Sequence, residues 1–373
     1  MEKLNLTAIC LFGTEGILAD ELRRMEAENV TAENGKVNFV GDYNMLARVN
    51  ICSRFAERVL IRVGEFTATN FDMLFEGVKA LEWERFIGKD DAFPVTGWSL
   101  NSQLFSIPDC QSITKKAVVE RLSGKYGISW FSETGPQIKI RFSIMKDTVS
   151  MMIDTSGDGL HKRGYRPSSN EAPIKETLAA AMCDQIRIFP DTTLYDPFCG
   201  SGTILIEAAL MATKTAPGLG RYFAAERFPF IPRTVWQEER TRALDSIIKN
   251  ADFVGIGTDI DTRAVELTLH NAKKAGVAKY IKAGVADVKD LALPEGRCSV
   301  ITNPPYGERL LDIREAEQLY SVLGERLIAE RGKKYGIISP HDEFEHHFGR
   351  QADKRRKLYN GMIKCQFYMY FKG

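Results

Sequence analysis

The chain has 373 residues, 44% hydrophobic and 27% charged, the composition of a globular protein and not of a disordered one. That length suits two or three domains, and a net charge of +1 neither demands nor excludes a polyanionic partner, because basic residues can cluster. No apolar run approaches the roughly 20 residues that cross a bilayer, so no membrane partner is expected.

The first residues, Met1-Glu2-Lys3-Leu4-Asn5, lack the apolar core and small-residue cleavage site of a signal peptide. The expected compartment is the cytoplasm. The seven cysteines are odd in number and form no C-x-x-C pair, which points to neither a disulfide framework nor zinc. His341, His346 and His347 sit among acidic residues without the H-E-x-x-H spacing, and no metal is expected there.

In chain order, Leu6 to Phe12 predicts a strand, and Thr14 opens a helix that the apolar spacing carries to about Glu28. Val37 to Val40 alternates as a strand, and a helix is expected from about Asp42 to Ser53. Val59 to Val63 reads as a buried strand, and Asn70 to about Leu81 as a helix with one apolar stripe. A strand begins at Phe93. Ser112 to Ser123 reads as a helix carrying Lys115, Lys116 and Arg121, with Lys125 just beyond. Ile138 to Phe142 and Val149 to Asp154 complete this half as strands. Thr155-Ser156-Gly157-Asp158-Gly159 is rich in turn formers and marks a boundary. Beyond it strands and helices alternate to about residue 340, the pattern of a parallel α/β sheet.

The first strand of that sheet, Thr193 to Asp196, runs into Pro197-Phe198-Cys199-Gly200-Ser201-Gly202-Thr203 and then a helix from Ile204. Strand, glycine loop and helix make a ligand cradle at the carboxyl end of a parallel sheet. Gly200 and Gly202 let the backbone turn and approach a ligand, and the helix N-terminus suits a carboxylate. A dinucleotide loop needs a third glycine where Leu205 stands and an acid about 20 residues on, and neither is present. A P-loop lacks its Gly-Lys-Ser/Thr. Asp259 ends a second strand, where it can accept from both ribose hydroxyls of a nucleoside, and Asp287 ends a third, near an adenine amine. Each could instead cap the following helix.

The most specific feature is Thr302-Asn303-Pro304-Pro305-Tyr306-Gly307 after a fourth strand. Two prolines stiffen the turn and hold Asn303 extended. An exocyclic base amine is a poor nucleophile because its lone pair is delocalised. Fixed acceptors, the Asn303 side-chain oxygen and the Pro304 carbonyl, would localise that lone pair and favour the developing positive charge. Tyr306 offers a stacking face.

Together, Asp196-Pro-Phe-Cys-Gly-Ser-Gly-Thr203 and Asn303-Pro-Pro-Tyr-Gly-Glu-Arg309 resemble the THUMP-containing guanine-N2 group of class I methyltransferases. The stretches Leu160 to Arg166, Ala172 to Thr177, Ala216 to Trp236 and Lys357-Leu-Tyr-Asn-Gly-Met362 match too. The whole chain is similar to the bacterial 23S ribosomal RNA methyltransferases of RlmL type. The resemblance implies an α/β fold: a class I methyltransferase domain with a seven-stranded, mostly parallel sheet at 156–373, preceded by an α+β ferredoxin-like unit at 1–64 and a THUMP domain at 65–155. It implies S-adenosylmethionine as cofactor, with Pro173, Thr177, Asp196, Cys199, Gly200, Ser201, Gly202, Thr203, Asp259, Ile260, Asp287 and Asn303 around it. Asn303, Pro304 and Tyr306 would take the base of a structured RNA, ribosomal RNA ahead of transfer RNA.

RNA phosphates could meet Lys162, Arg163 and Arg166 between the two halves, Lys115, Lys116 and Arg121 on their helix, and Arg309. The alternatives are a solvated linker, an arginine that holds the domain interface, and ordinary helix-surface charge. Lys354-Arg355-Arg356-Lys357 reads as a solvated turn. Rival functions are a DNA adenine-N6 methyltransferase, since the same acceptors serve that amine, and a non-catalytic RNA-binding assembly factor. Retention of Gly200, Gly202, Asp259 and Asn303 argues against the latter.

Overall fold

The computed structural model describes residues 3–166, 174–306, 313–328 and 332–371. The first half runs β1 (Leu4–Cys10), α1 (Glu15–Arg24), β2 (Glu28–Glu33), β3 (Lys36–Gly41), α2 (Tyr43–Cys52), β4 (Ala56–Thr67), α3 (Phe71–Lys79), β5 (Val95–Leu100), α4 (Ile107–Tyr126), β6 (Ile140–Met145) and β7 (Thr148–Asp154). Its strands form one sheet in the order β2-β3-β1-β4-β7-β6-β5. β4 is the spine: its first part pairs with β1 and its later part with β7. The position 64/65 lies inside this strand, so a single sheet carries both N-terminal units.

The apolar spacing extends the first helix to about Glu28, but α1 stops at Arg24 and Glu28 begins β2. Glu26 adopts φ 70°, and the Ala27 N–H returns to the Leu22 carbonyl at 3.0 Å. This left-handed closure uses no glycine, so the sequence does not announce it.

The second half runs α5 (Glu176–Ile186), β8 (Thr193–Asp196), α6 (Thr203–Ala212), α7 (Arg233–Asp245), β9 (Val254–Asp259), α8 (Thr262–Lys274), β10 (Ile281–Val285), β11 (Cys298–Thr302), α9 (Ile313–Ile328), β12 (Lys334–Ser339), α10 (Phe344–Phe348), β13 (Lys354–Asn360) and β14 (Ile363–Tyr370). The sheet order is β10-β9-β8-β11-β12-β14-β13. β8 to β12 pair in parallel, and β14 and β13 add an antiparallel hairpin. From β8 the chain builds outward to β9 and β10 on one side and to β11 and β12 on the other. The crevice for a ligand in such a sheet opens at this reversal, beyond the carboxyl ends of the strands.

The halves are joined by buried contacts, not by a solvated linker. Thr155 and Ser156 are fully buried. Asn50 donates to the Thr155 hydroxyl (3.0 Å) and accepts from that of Ser156 (2.7 Å). Arg48 on α2 forks onto Glu239 of α7, with both bonds at 2.9 Å. Leu46 and Val49 share one core with Phe223, Val235 and Trp236.

Candidate active site

The loop after β8 is fastened from behind. Gly202 has φ 78° and caps α6, and a Cβ there would lie 2.9 Å from Thr268. Thr268 donates to the Gly200 carbonyl (2.9 Å) and Asn271 to that of Ser201 (2.9 Å), both from α8. The Cys199 thiol is turned inward against β9, where a Cβ on Gly257 would be 3.1 Å from the sulfur, and burial pushes its pKa up to about 12. Ser201 and Thr203 are buried with their hydroxyls 3.1 Å apart. The backbone of this loop, not its side chains, is what faces outward.

Asp259 bridges two strand ends. Its Oδ2 accepts from the Gly200 N–H (2.9 Å) and its Oδ1 from that of Asp261 (3.0 Å). Each carboxylate oxygen retains a lone pair for a further donor. Asp261, not Asp259, caps α8. Asp287 lies just past β10 and does cap a short turn, accepting from the Lys289 N–H (2.9 Å). Ile260, beside Asp259, is 73% exposed.

β11 lies against β8, and its last residue ties the two loops together: the Thr302 hydroxyl donates to Asp196 Oδ1 at 2.7 Å. The Asp196 carboxyl is buried. Burial raises its pKa to about 7 against the Thr302 hydroxyl and the Phe198 N–H, which favour the charged form, and Asp259 adds a repulsive charge. The turn 303–306 therefore starts directly beside the glycine loop. Among the described residues, the buried Asn303 Oδ1 has no hydrogen-bond donor. A buried oxygen left without a donor costs about 1–3 kcal/mol. Tyr306 reaches across the sheet, and its phenol oxygen accepts from Asn360 Nδ2 at 2.8 Å.

The remaining expected site residues are placed as follows. The Thr177 hydroxyl is given to Glu57 of β4, a carboxylate also met by Lys175 (3.1 Å) and His161 (3.0 Å). Burial pushes Glu57 up, but the bonds from His161 and Thr177 and the charge of Lys175 outweigh it and lower the pKa to about 2. Arg163 is corrected: with its side chain 2% exposed, it donates to the Leu160 and Arg54 carbonyls (both 2.6 Å), and no phosphate can reach it. Arg166 donates to the Thr203 hydroxyl (2.8 Å) and pairs with Glu176 (3.1 Å), bracing α6. Lys162 is exposed beside Asp158. On α4, Lys115 sits 3.5 Å over the Phe93 ring and pairs with Glu133, Arg121 forks onto Glu84, and Lys116 is exposed. Pro173 and Arg309 lie outside the described residues.

Glu317, His341 and His347 converge, each imidazole Nε2 within 3.4 Å of one Glu317 oxygen. His341 Nδ1 accepts the Glu343 N–H (3.2 Å). Each of the three side chains offers one ligand atom, and these atoms lie within 4.8 Å of one another.

This α/β sheet, with its glycine loop, acidic strand ends and Asn-Pro-Pro-Tyr turn at the carboxyl ends of its parallel strands, is that of a class I methyltransferase. The chain belongs to the RMKL-like methyltransferase family, whose domain model matches residues 163–369. Residues 5–60 match the RlmL ferredoxin-like domain and 68–154 the THUMP domain. It is 40% identical to YpsC of Bacillus subtilis, whose name proposes an RNA methyltransferase, over 100% of this chain and 97% of that protein. It is 34% identical to the ribosomal RNA large subunit methyltransferase K/L of Shewanella baltica, covering 98% of this chain but 53% of that one, so it spans about half of the K/L enzyme. Two solved structures superpose with TM-score 0.94. One is a Listeria monocytogenes protein described as a predicted N6-adenine-specific DNA methylase (42% identical, 100% and 97% covered). The other is SMU.472, whose description proposes a methyltransferase and reports it complexed with SAH (38% identical, 100% and 99% covered).

S-adenosylmethionine is the cofactor of this class, and the crevice suits it. The glycine loop presents bare backbone, Asp259 keeps acceptor capacity for ribose hydroxyls, and Ile260 offers an apolar face beside it.

Proposed function

We propose that this chain methylates an exocyclic base amine of RNA, with guanine N2 in 23S ribosomal RNA as the preferred target. The observation that carries the reading is Asn303 Oδ1, a sheltered acceptor that has no donor among the described residues, beside the Asp196 loop. An amine with two N–H bonds satisfies it and the neighbouring Pro304 carbonyl together. As the amine nitrogen gains positive charge, both acceptors bind its hydrogens more tightly, so they act on the transition state more than on the ground state. The cofactor supplies a methyl group already activated by its sulfonium, so the protein needs no covalent nucleophile. The stacked face of Tyr306 holds the base plane while Pro304 and Pro305 keep the acceptors fixed. The surplus proton of the product leaves to water.

RNA as the substrate class is supported by the THUMP domain and by the names of YpsC and the K/L enzymes. Exposed Lys162 and Lys116 are the cations we assign to its phosphates, and transfer RNA is the alternative RNA. The seven cysteines, with no disulfide among the described residues, suit a reducing cytoplasm. Adenine N6 of DNA is the second reading, because the same acceptors fit that amine and the Listeria relative is described so. Transfer of label from tritiated S-adenosylmethionine to total RNA, to total DNA or to neither separates these readings and the non-catalytic one. Nucleoside mass spectrometry of RNA from cells lacking the gene then identifies the base. Label in DNA alone would sink the RNA assignment.

A further inference from the structure

We infer that Asn360, at the tip of the C-terminal hairpin, is a positioning residue that sets the Tyr306 ring for the incoming base. The inference rests on the functional reading above.

The hairpin is built to reach the site. β14 pairs with β12 only as far as Gln366 opposite Ser339, the last residue of β12. The hairpin continues to the Asn360–Ile363 pair, so its tip stands about 10 Å beyond the carboxyl edge of β12 at some 3.3 Å per residue. Gly361 turns it with φ 65°, as the first residue of a primed two-residue turn does. Asn360 Nδ2 donates 2.8 Å to the phenol oxygen of Tyr306, 54 residues away in the chain. The ring is therefore held at both ends: by Pro304-Pro305 at the backbone and by Asn360 at the hydroxyl.

The tip is itself braced from the N-terminal unit. Phe12 meets the Tyr359 ring edge-on, with centroids 6.0 Å apart. Gly13 lies so close to β13 that a Cβ would be 2.4 Å from the Lys357 carbonyl. Leu358 is fully buried between these neighbours. A ring ordered in advance does not have to be ordered when the base arrives, and a base stacked at the wrong angle presents its amine poorly to Asn303.

The test is a double-mutant cycle in the full chain, with tritiated S-adenosylmethionine and RNA from cells lacking the gene. N360A and Y306F remove opposite ends of one bond. Each is expected to lower kcat/KM for RNA about tenfold, while the KM for S-adenosylmethionine and the unfolding temperature stay near wild type. The double variant should lose no more than either single one. N360Q, which keeps an amide donor for the Tyr306 oxygen, should recover part of the loss. Multiplicative losses, or an N360A rate equal to wild type, would overturn the inference. An inactive wild type would instead overturn the functional reading, so the two failures are distinguishable.

Discussion

The two loops that meet at the crevice are built in opposite ways. The 196–203 loop is fastened from within the protein: its Gly200 and Ser201 carbonyls are taken by Thr268 and Asn271, and its Gly200 N–H by Asp259. The 303–306 turn is incomplete, with Asn303 Oδ1 lacking a donor among the described residues and its geometry held by prolines and a distant hairpin. The first loop presents a settled backbone surface, and the second, among the described residues, leaves one buried acceptor without a donor.

The sharpest way to break this contrast is Asn303→Ala. It removes the unmet acceptor and is expected to lower kcat at least about 10²-fold while leaving cofactor affinity near wild type, measured by methyl transfer and by calorimetric titration with S-adenosylmethionine. Near-normal turnover would mean that the turn is not the catalytic element. Gly202→Ala should do the reverse. Its φ of 78° and the 2.9 Å approach to Thr268 leave no relaxed place for a methyl group. Cofactor affinity should fall about tenfold and stability by about 1–3 kcal/mol, with kcat at saturating cofactor little changed.

Asp196 is the point where the two loops join, and its test is a pH profile. Its pKa is raised to about 7 in the folded chain. The folded state thus binds the proton more tightly than the unfolded one, and stability falls as pH rises from about 4 to about 7. Asp196→Asn retains an acceptor for Thr302 and carries no charge. It should make the cofactor-free protein about 1–2 kcal/mol more stable at pH 8 while leaving it near wild type at pH 4. Parallel unfolding profiles for the two proteins across that range would rule this out.

Both loops were readable from sequence because each is one contiguous stretch whose residue types have few other uses. Gly200 and Gly202 between a strand and a helix, and Asn303-Pro-Pro-Tyr306 after another strand, carry their chemistry locally. The bonds that hold them do not. Thr302 to Asp196 spans 106 residues, Asn360 to Tyr306 spans 54 and Glu57 to Thr177 spans 120. No periodicity or spacing encodes such pairs. Glu57 stands in an ordinary strand, and Asn360 was visible only as part of a stretch shared with a known family. The end of α1 failed to show for a related reason: Glu26 takes a left-handed conformation that sequence assigns to glycine or asparagine. Position 163 shows the same limit, because a basic residue between two domains reads alike whether it faces RNA or a buried carbonyl.

The adjacent pair Lys162 and Arg163 gives the smallest and most discriminating prediction. The Lys162 side chain is 63% exposed, and its partner Asp158 is more exposed still, so that ion pair adds little. Lys162→Ala should leave stability unchanged. If RNA crosses this linker, the variant should weaken RNA binding two- to threefold at low salt, by an order-of-magnitude estimate of about one lost phosphate contact, and reduce the slope of log affinity against log salt by about 1. Arg163→Ala should behave oppositely, because it removes the cation paired with the buried Glu207 and uncaps two carbonyls. Its loss should appear in thermal unfolding and not in the salt slope. A salt slope unchanged in Lys162→Ala would move the RNA path off the linker and leave the exposed face of α4 to carry it.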